Sequence, residues 1–162
     1  MRVCYAIFFA AALLACQEPQ SPAFMGPEVD ALRARHGDFA EALAAKQATA
    51  TAEFYDRGSA IYEPLIVLGR PHVSMELTNE SLFADPNGSI QFLHTEFETS
   101  GTLAVSRGEC IVTRTDPRSG HAAQMRGYCM TSWRRGEDDQ WRVAWESRNV
   151  APSNAHSEDV SR

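Results

Sequence analysis

The first part of the chain carries apolar side chains at helical spacing. Pro27 suits the first position of a helix, and Glu28 and Asp30 favour the positive end of its dipole. The pattern predicts a helix that begins at Gly26-Pro27 and can kink or stop at Gly37. Its apolar stripe consists of Val29, Leu32, His36, Phe39, Ala40 and Leu43. We expect a second, alanine-rich helix over 48–55, a short strand over 59–63 and a third helix over 71–83.

The second part of the chain changes to an alternating pattern after the turn-forming run at 85–88. Four strand-like segments follow, separated by turn residues, at 89–99, 102–115, 121–135 and 141–150. Helices followed by an antiparallel meander indicate an α+β domain in which the helices cover one face of the sheet.

The turn between the second and third of these strands sets which side chains share a face. A four-residue loop at 117–120 places Cys110 opposite Gly127 and diagonal to Cys129, whereas a tight Ser119-Gly120 turn places the two cysteines opposite each other. Both registers put the two sulfurs on one face. Alternation along these two strands extends the apolar inner face to Ala104, Ser106, Val112, Met125, Thr131 and Trp133, and a tight turn at Ser100-Gly101 adds Leu93, Thr95 and Phe97. A five-residue loop at 136–140 adds Trp141, Val143, Trp145, Ser147 and Asn149. A six-residue loop would reverse this last strand, but its own alternation favours the five-residue loop. It gives the outer face a mixed-charge set that includes His94, Glu96, Arg107, Glu109, Arg126, Glu146 and Arg148.

The N-terminus has the pattern of an export signal. Arg2 precedes an apolar run from Val3 to Leu14, which is shorter than the roughly 20 residues that span a bilayer. The run ends in Leu13-Leu14-Ala15-Cys16, which resembles the lipobox of bacterial lipoproteins. We favour acylation and anchoring at Cys16 over an ordinary secretory signal. The expected segments are a signal peptide at 1–15, lipidated Cys16 and a tether at 16–26, a domain at 27–152 and a flexible tail at 153–162. We expect the periplasmic face of the outer membrane as the location.

Removal of the signal peptide changes the cysteine and charge counts. Cys4 leaves with residues 1–15 and Cys16 carries lipid, so Cys110 and Cys129 remain as a pair in an oxidising compartment. A structural role, as a disulfide or as two buried thiols, is favoured over a reactive thiol pair. The remaining chain has a net charge of −7 and no basic cluster, which argues against nucleic acid as a partner. Metal-ligand spacings and phosphate-binding loops are lacking, so no metal or cofactor is predicted.

Three sequence features resemble the SnoaL-like superfamily, which includes nuclear transport factor 2 and ketosteroid isomerase. They are Phe39-Ala40-Glu41-Ala42-Leu43-Ala44-Ala45, Leu68-Gly69-Arg70, and the ending Ser132-Trp133-Arg134-Arg135 with Gln140-Trp141-Arg142-Val143 and Asn149. The resemblance covers 27–152 and departs at Lys46-Gln47, where relatives often have Gly-Asp. It implies a cone-shaped roll: a curved, mostly antiparallel sheet wrapped around helices, with an internal pocket.

The predicted inner face bears on function because an isomerase of the ketosteroid type needs a carboxylate base in an apolar pocket. The inner face lacks one away from its turns, so a catalytic carboxylate would have to be Glu63 or Asp56, working with Tyr55 or Tyr62. Ordinary core packing is favoured for both tyrosines. We expect the pocket to be lined by Phe39, Leu93, Phe97, Thr131, Trp145, Ser147 and Asn149.

Three functions remain open at this stage. The favoured one is non-catalytic binding of a small apolar or amphipathic ligand by an envelope-tethered domain. The alternatives are a small isomerase or lyase of the SnoaL-like kind, and a dimerising scaffold whose interior is filled by aromatic side chains, with a homodimer as its partner. Pocket geometry separates them: an open cavity with a buried carboxylate favours the enzyme, an open cavity without one favours binding, and a filled interior favours the scaffold.

Overall fold

The structure is a computed structural model. It describes residues 23–62 and 73–152, and at 62, 73–78 and 152 it describes the backbone alone. The helices are α1 Pro27–Ala44, α2 Ala48–Ala52 and α3 Met75–Ala84. The strands are β1 Tyr55–Tyr62, β2 Val73–Ser74, β3 Ser89–Ser100, β4 Leu103–Thr115, β5 Ala122–Arg135 and β6 Trp141–Pro152. No helix in the described ranges is long and apolar enough to cross a membrane.

The six strands form one mixed sheet in the order β2-β1-β6-β5-β4-β3. Neighbouring strands are antiparallel except β1 and β6, which run parallel. Helix α1 packs on the inner face of the sheet, and the buried side chains between them form the core. The predicted α+β class and cone-shaped roll are therefore confirmed.

Helix α1 begins and ends close to the predicted positions. Pro27 occupies its first turn, and its buried face includes Val29, Leu32 and Phe39, as the stripe predicts. The helix is continuous through Gly37, so that residue does not end it. It ends in a turn at Lys46, whose φ of 53° lies in the left-handed region that glycine adopts most easily. This is the position where the chain departs from Gly-Asp. The Lys46 Nζ donates a hydrogen bond to the carbonyl of Asp85 at 2.6 Å, which is one contact that fixes the turn.

The β4–β5 hairpin has the register of the four-residue loop. Asp116 donates its N–H to the carbonyl of His121, and Cys110 lies opposite Gly127. Cys110 and Cys129 are joined by a disulfide across the two strands, with their Cα atoms 5.7 Å apart. The two glycines of the Arg-Gly-x-Cys repeats are needed for space. A Cβ on Gly127 would lie 2.0 Å from the Asn149 carbonyl oxygen, and one on Gly108 would lie 2.8 Å from that of Leu93.

Two β-bulges change the predicted face of several side chains. In β6, Trp133 pairs with Val143 but Ser132 pairs with Trp145, so Ala144 is the extra residue. In β3, the register shifts between Leu93 and Glu96, where His94 has a φ of 49°. Because each bulge adds one residue, the alternation reverses beyond it. The predicted outward positions of Glu146 and Arg148 are therefore wrong.

Candidate functional site

The β6 bulge turns two charged side chains into the protein interior. Glu146 is 0% exposed and Arg148 is 1% exposed. The Arg148 Nε donates to Glu146 Oε1 at 2.6 Å, so the two charges form a buried ion pair on one strand. An unpaired charge at such depth would cost several kcal/mol, on the order of 3–5 kcal/mol. The pairing explains how the fold tolerates these residues.

Two more buried side chains close a ring around this ion pair. Tyr55 of β1 donates its hydroxyl to Glu146 Oε2 at 2.9 Å, and Asn79 of α3 donates its Nδ2 to the Tyr55 hydroxyl oxygen at 3.1 Å. The Arg148 Nη2 donates in turn to Asn79 Oδ1 at 3.0 Å. We call Tyr55, Asn79, Glu146 and Arg148 the polar quartet. Its hydrogen bonds between side chains connect α3 to the paired strands β1 and β6.

The quartet fixes the protonation state of its tyrosine. Burial raises the pKa of Tyr55 well above its usual value, and the neighbouring Glu146 carboxylate raises it further, against the opposing effect of Arg148. Tyr55 therefore stays a neutral hydrogen-bond donor at any physiological pH. An arrangement of a carboxylate, a tyrosine hydroxyl, an amide and a guanidinium can bind a polar group or move a proton, provided that a substrate reaches it.

A pocket lies between α2 and α3, next to the quartet. Its volume is about 280 Å³, and we call it the α2–α3 pocket. Asn79 belongs both to its wall and to the quartet. Thr51, which is 1% exposed, has a buried hydroxyl with no hydrogen-bond partner in the described part of the chain. The wall consists of Ala48, Thr49, Thr51, Ala52, Asn79, Glu80 and Phe83.

The predicted aromatic pocket is a filled core. Phe39 is 0% exposed, with ring centroids of four aromatic neighbours 5.6–6.2 Å away. His36 packs at 4.9 Å from Phe92 and 5.4 Å from Phe97, measured between ring centroids. Burial lowers the pKa of His36 to about 4, so this imidazole is neutral at pH 7. Its role is packing within the aromatic cluster.

The structure divides the predicted lining residues between the two faces. Phe39, Phe97 and Thr131 are buried on the inner side. Leu93 pairs with Glu109, and the bulge in β6 places the other three opposite outer-face residues of β5. The four residues that alternation wrongly assigns to the inner face are Leu93, Trp145, Ser147 and Asn149. Two of them, Ser147 and Asn149, line an open groove of about 490 Å³ on the outer face.

The structure does not bring the predicted catalytic candidates together in one described site. Tyr55 is in the quartet, whereas Asp56 accepts a hydrogen bond from Arg134 Nη1 at 3.0 Å in a partly exposed ion pair. Glu63 lies outside the described residues, as does the predicted lipidation site Cys16, and only the backbone of Tyr62 is described. Glu146, Arg148 and Asn79 were missed as interior groups. The Glu-Ser-Arg spacing does put opposite charges on one face of a strand, but it does not say which face.

Nothing in the described ranges resembles a metal centre, because no group of three or more His, Cys, Asp or Glu side chains converges there. The ionisable groups that are brought together are the carboxylate, phenol and guanidinium of the quartet, and these satisfy one another.

Comparison with solved structures identifies the architecture. A ketosteroid isomerase-like protein from Erwinia carotovora atroseptica superposes with a TM-score of 0.63 at 16% identity, covering 79% of this chain and 100% of that one. The chain has the nuclear transport factor 2-like fold. A nuclear transport factor 2-like superfamily protein from Salmonella enterica serovar Typhimurium gives a TM-score of 0.61 at 10% identity, covering 81% and 96%. The CaMKII hub of S. rosetta gives 0.61 at 15% identity, covering 78% and 98%.

These superpositions establish the fold, and at 10–16% identity they do not show the function, which has to be argued from the site. No family model and no curated protein matches the chain. Among the solved structures, the same architecture occurs in a protein named for an isomerase and in one named for a hub. A single fold commonly hosts unrelated functions.

Proposed function

We propose that this chain is a non-catalytic, envelope-tethered domain that binds a small amphipathic ligand in the α2–α3 pocket. The observation that carries the proposal is the Thr51 hydroxyl, which is buried in the pocket wall without a hydrogen-bond partner in the described part of the chain. Such a group costs about 1–3 kcal/mol when it is left unsatisfied. The hydroxyl has essentially no exposed surface, so a ligand that recovers this free energy must displace part of the wall to bring a polar atom to it.

The rest of the wall supports the same class of ligand. Ala48, Ala52 and Phe83 present apolar surface, and Asn79 and Glu80 present polar atoms. A pocket with mainly apolar walls and a few converging polar groups is the usual form of a small-molecule site. Its volume of about 280 Å³ lies near the lower end of the range for such sites, which favours a ligand of roughly ten to fifteen non-hydrogen atoms. A medium-length alkyl chain with a hydroxyl or carboxyl head group fits this description.

Anchoring at Cys16 is part of the proposal. It rests on the lipobox-like Leu13-Leu14-Ala15-Cys16 after an apolar run, and it implies a periplasmic location at the outer membrane. A tethered domain of this kind meets amphipathic molecules that partition into or leave the adjacent bilayer.

Two measurements test ligand binding. The full chain is extracted from its native envelope, and native mass spectrometry identifies small molecules that co-purify with it. In parallel, octanol and octanoate are titrated calorimetrically into the wild type and into Thr51→Val. We expect the hydroxyl deletion to weaken binding by roughly tenfold, since a hydrogen bond in a buried site contributes about 1.5 kcal/mol.

The matched control is Thr102→Val, which makes the same substitution at an exposed turn, away from the pocket wall. It should bind like the wild type. Recovery of no ligand from well-folded protein, together with equal titrations of wild type and Thr51→Val, would contradict the proposal.

An isomerase or lyase is the second candidate, and one specific observation favours it. The Glu146 carboxylate is 2.9 Å from the Tyr55 hydroxyl in the interior, which is the pair of groups that proton transfer next to a carbonyl requires. Against it, Arg148 holds the other carboxylate oxygen at 2.6 Å, and Glu146 is not among the residues of the pocket wall. Incubation of the co-purified molecule with fresh protein separates the two: an enzyme converts it, and a binding domain returns it unchanged.

A homodimer, the partner of the scaffold alternative, would use the outer face of the sheet. Tyr128 is 67% exposed and Met130 is 40% exposed there, beside the opposite charges of Arg107 and Glu109 along the open groove. The filled aromatic core around Phe39 favours this alternative, and the likeness to the S. rosetta hub is compatible with it, whereas the α2–α3 pocket favours ligand binding.

A further inference from the structure

The last residues of the predicted tether at 16–26 lie against one end of the domain, and this end exposes apolar side chains. Ala23 pairs with Thr99 of the edge strand β3 through two backbone hydrogen bonds of 2.7 and 2.9 Å. Directly after it, Phe24 is 57% exposed and Met25 is 88% exposed. These are large values for such side chains. The point at which the tether joins the fold is therefore fixed, and it is apolar.

A third exposed apolar side chain lies at the same end. Leu103, 54% exposed, starts β4 and pairs with Ser100, one residue beyond Thr99. Phe24 shares a crevice with Val105, which alternates with Leu103 on the outer face of β4. Phe24 and Leu103 therefore face the same side of the sheet. We call Phe24, Met25 and Leu103 the tether-end cluster.

From this geometry, and resting on the proposed anchor at Cys16, we propose that the tether-end cluster docks the domain on the surface of the bilayer that holds the anchor. Six residues lie between Cys16 and Ala23, so the Cα atom of Ala23 lies at most about 25 Å from that of the acylated cysteine. The end of the domain that carries the cluster is thus held beside the lipid surface. Apolar side chains at such an interface insert about 5–10 Å into the boundary between head groups and acyl chains.

The charges around the cluster determine the type of contact. Glu96, Glu98 and Arg107 border the crevice of Phe24, and Glu28 at the start of α1 is paired with Arg135 at 2.8 Å. Arg134 lies opposite Leu103 and is paired with Asp56 at 3.0 Å. This surrounding set has no basic excess that would attract anionic lipid. Docking should therefore depend on apolar insertion. It should be similar on neutral and anionic lipid and little affected by salt.

Tryptophan fluorescence with brominated lipid tests the docking. Full-length chain is reconstituted into vesicles of phosphatidylcholine brominated on its acyl chains, and into matched unbrominated vesicles. Phe24→Trp is compared with Tyr128→Trp, which alters another exposed aromatic position six strand positions from the Leu103 level, about 20 Å away. Subtraction of the wild type removes the native tryptophans. We expect the quenching of the added tryptophan to be roughly two-fold or more greater in Phe24→Trp, and to persist with phosphatidylglycerol and at high salt.

Acylation is measured separately, by mass spectrometry of the peptide that contains Cys16 and by comparison with Cys16→Ser. Acylated protein with equal quenching at the two positions would overturn the docking and leave the anchor in place. Absence of acylation at Cys16 would overturn the anchor. In that case the unacylated protein is added to preformed vesicles, and the ratio of quenching in Phe24→Trp to quenching in Tyr128→Trp still decides for or against docking. Fluorescence of Phe24→Trp that depends on protein concentration and not on lipid would show a second copy on the cluster and overturn the proposal.

Discussion

The buried ion pair gives the sharpest test of the structure. Arg148→Met removes the guanidinium that holds Glu146 Oε1 at 2.6 Å and leaves a carboxylate in a site with no exposed surface. It also removes the hydrogen bond from Arg148 to Asn79. Breaking a buried pair from one side costs about 3–5 kcal/mol, because the remaining charge is uncompensated. We expect the free energy of unfolding to fall by about that amount and the melting temperature to fall by roughly 10–20 °C.

The chain offers a matched control for this loss. Arg107 pairs with Glu96 at 3.2 Å on the outer face, where the two side chains are 56% and 73% exposed. Arg107→Met removes the same atoms from an exposed pair, and such pairs contribute between 0 and about 1 kcal/mol. The difference between the two arginine variants therefore isolates the effect of burial.

A double variant supplies the second comparison. Glu146→Leu with Arg148→Met removes both charges and leaves two apolar side chains of similar size. Replacing a buried pair in this way is often close to neutral, but here it also leaves the Tyr55 hydroxyl hydrogen and Asn79 Oδ1 without these partners, at about 1–3 kcal/mol each. We therefore expect the double variant to cost less than the sum of the two single changes. Urea denaturation of the wild type, Glu146→Leu, Arg148→Met and the double variant, with the disulfide intact, gives the coupling free energy directly. Equal costs for Arg148→Met and Arg107→Met, or a double variant whose cost is the sum of its single changes, would refute the buried pairing.

Two further perturbations concern the core. His36, with its pKa lowered to about 4 by burial, takes up a proton on unfolding below pH 6.5, so stability should be complete above that pH and fall by up to about 3 kcal/mol as the pH drops towards 4. Urea denaturation across pH should show a smaller decline for His36→Gln than for the control His121→Gln at an exposed turn, and parallel declines would contradict the burial of His36. Cys→Ala substitution at both Cys110 and Cys129 removes the disulfide, which links residues 19 positions apart. Because the unfolded chain then gains conformational freedom, the free energy of unfolding should fall by about 3 kcal/mol. Alkylation of both thiols in unreduced, folded wild type would contradict the bond.

Local patterns in the sequence are enough for α1 and for the four long strands, and the predicted pairing of those strands holds up to the two bulges. They do not predict the short strand β2 or the parallel pairing of β1 with β6. The alternation over 89–150 predicts the four long strands within a few residues, and the loop at 117–120 gives the observed register of the cysteines. These features depend on neighbours along the chain, such as turn residues and side-chain periodicity. Helix α1 follows for the same reason, since Pro27 and the apolar stripe act within a few turns.

The candidate site is where prediction from the sequence was wrong. Counting by twos from the correct loop at 136–140 puts Trp145 inside and Glu146 outside, and the real arrangement is the reverse. The bulge at Ala144 causes the reversal, and no turn residue or change in alternation marks it. A buried charge is also unfavourable by itself, so a sequence-based argument has reason to place Glu146 in water.

The amino-acid sequence by itself therefore determined the α+β class, the four long strands and the cysteine pair, and acylation of Cys16 stays a prediction. Only the tertiary structure decided which charges are interior, because Glu146 is stabilised by groups from three separate elements: Tyr55 of β1, Asn79 of α3 and Arg148 of β6. The same holds for the Thr51 hydroxyl, whose lack of a partner among the described residues depends on how α2 and α3 meet. Local periodicity is encoded in adjacent residues, whereas the compensation of a buried charge exists only after distant segments have packed together.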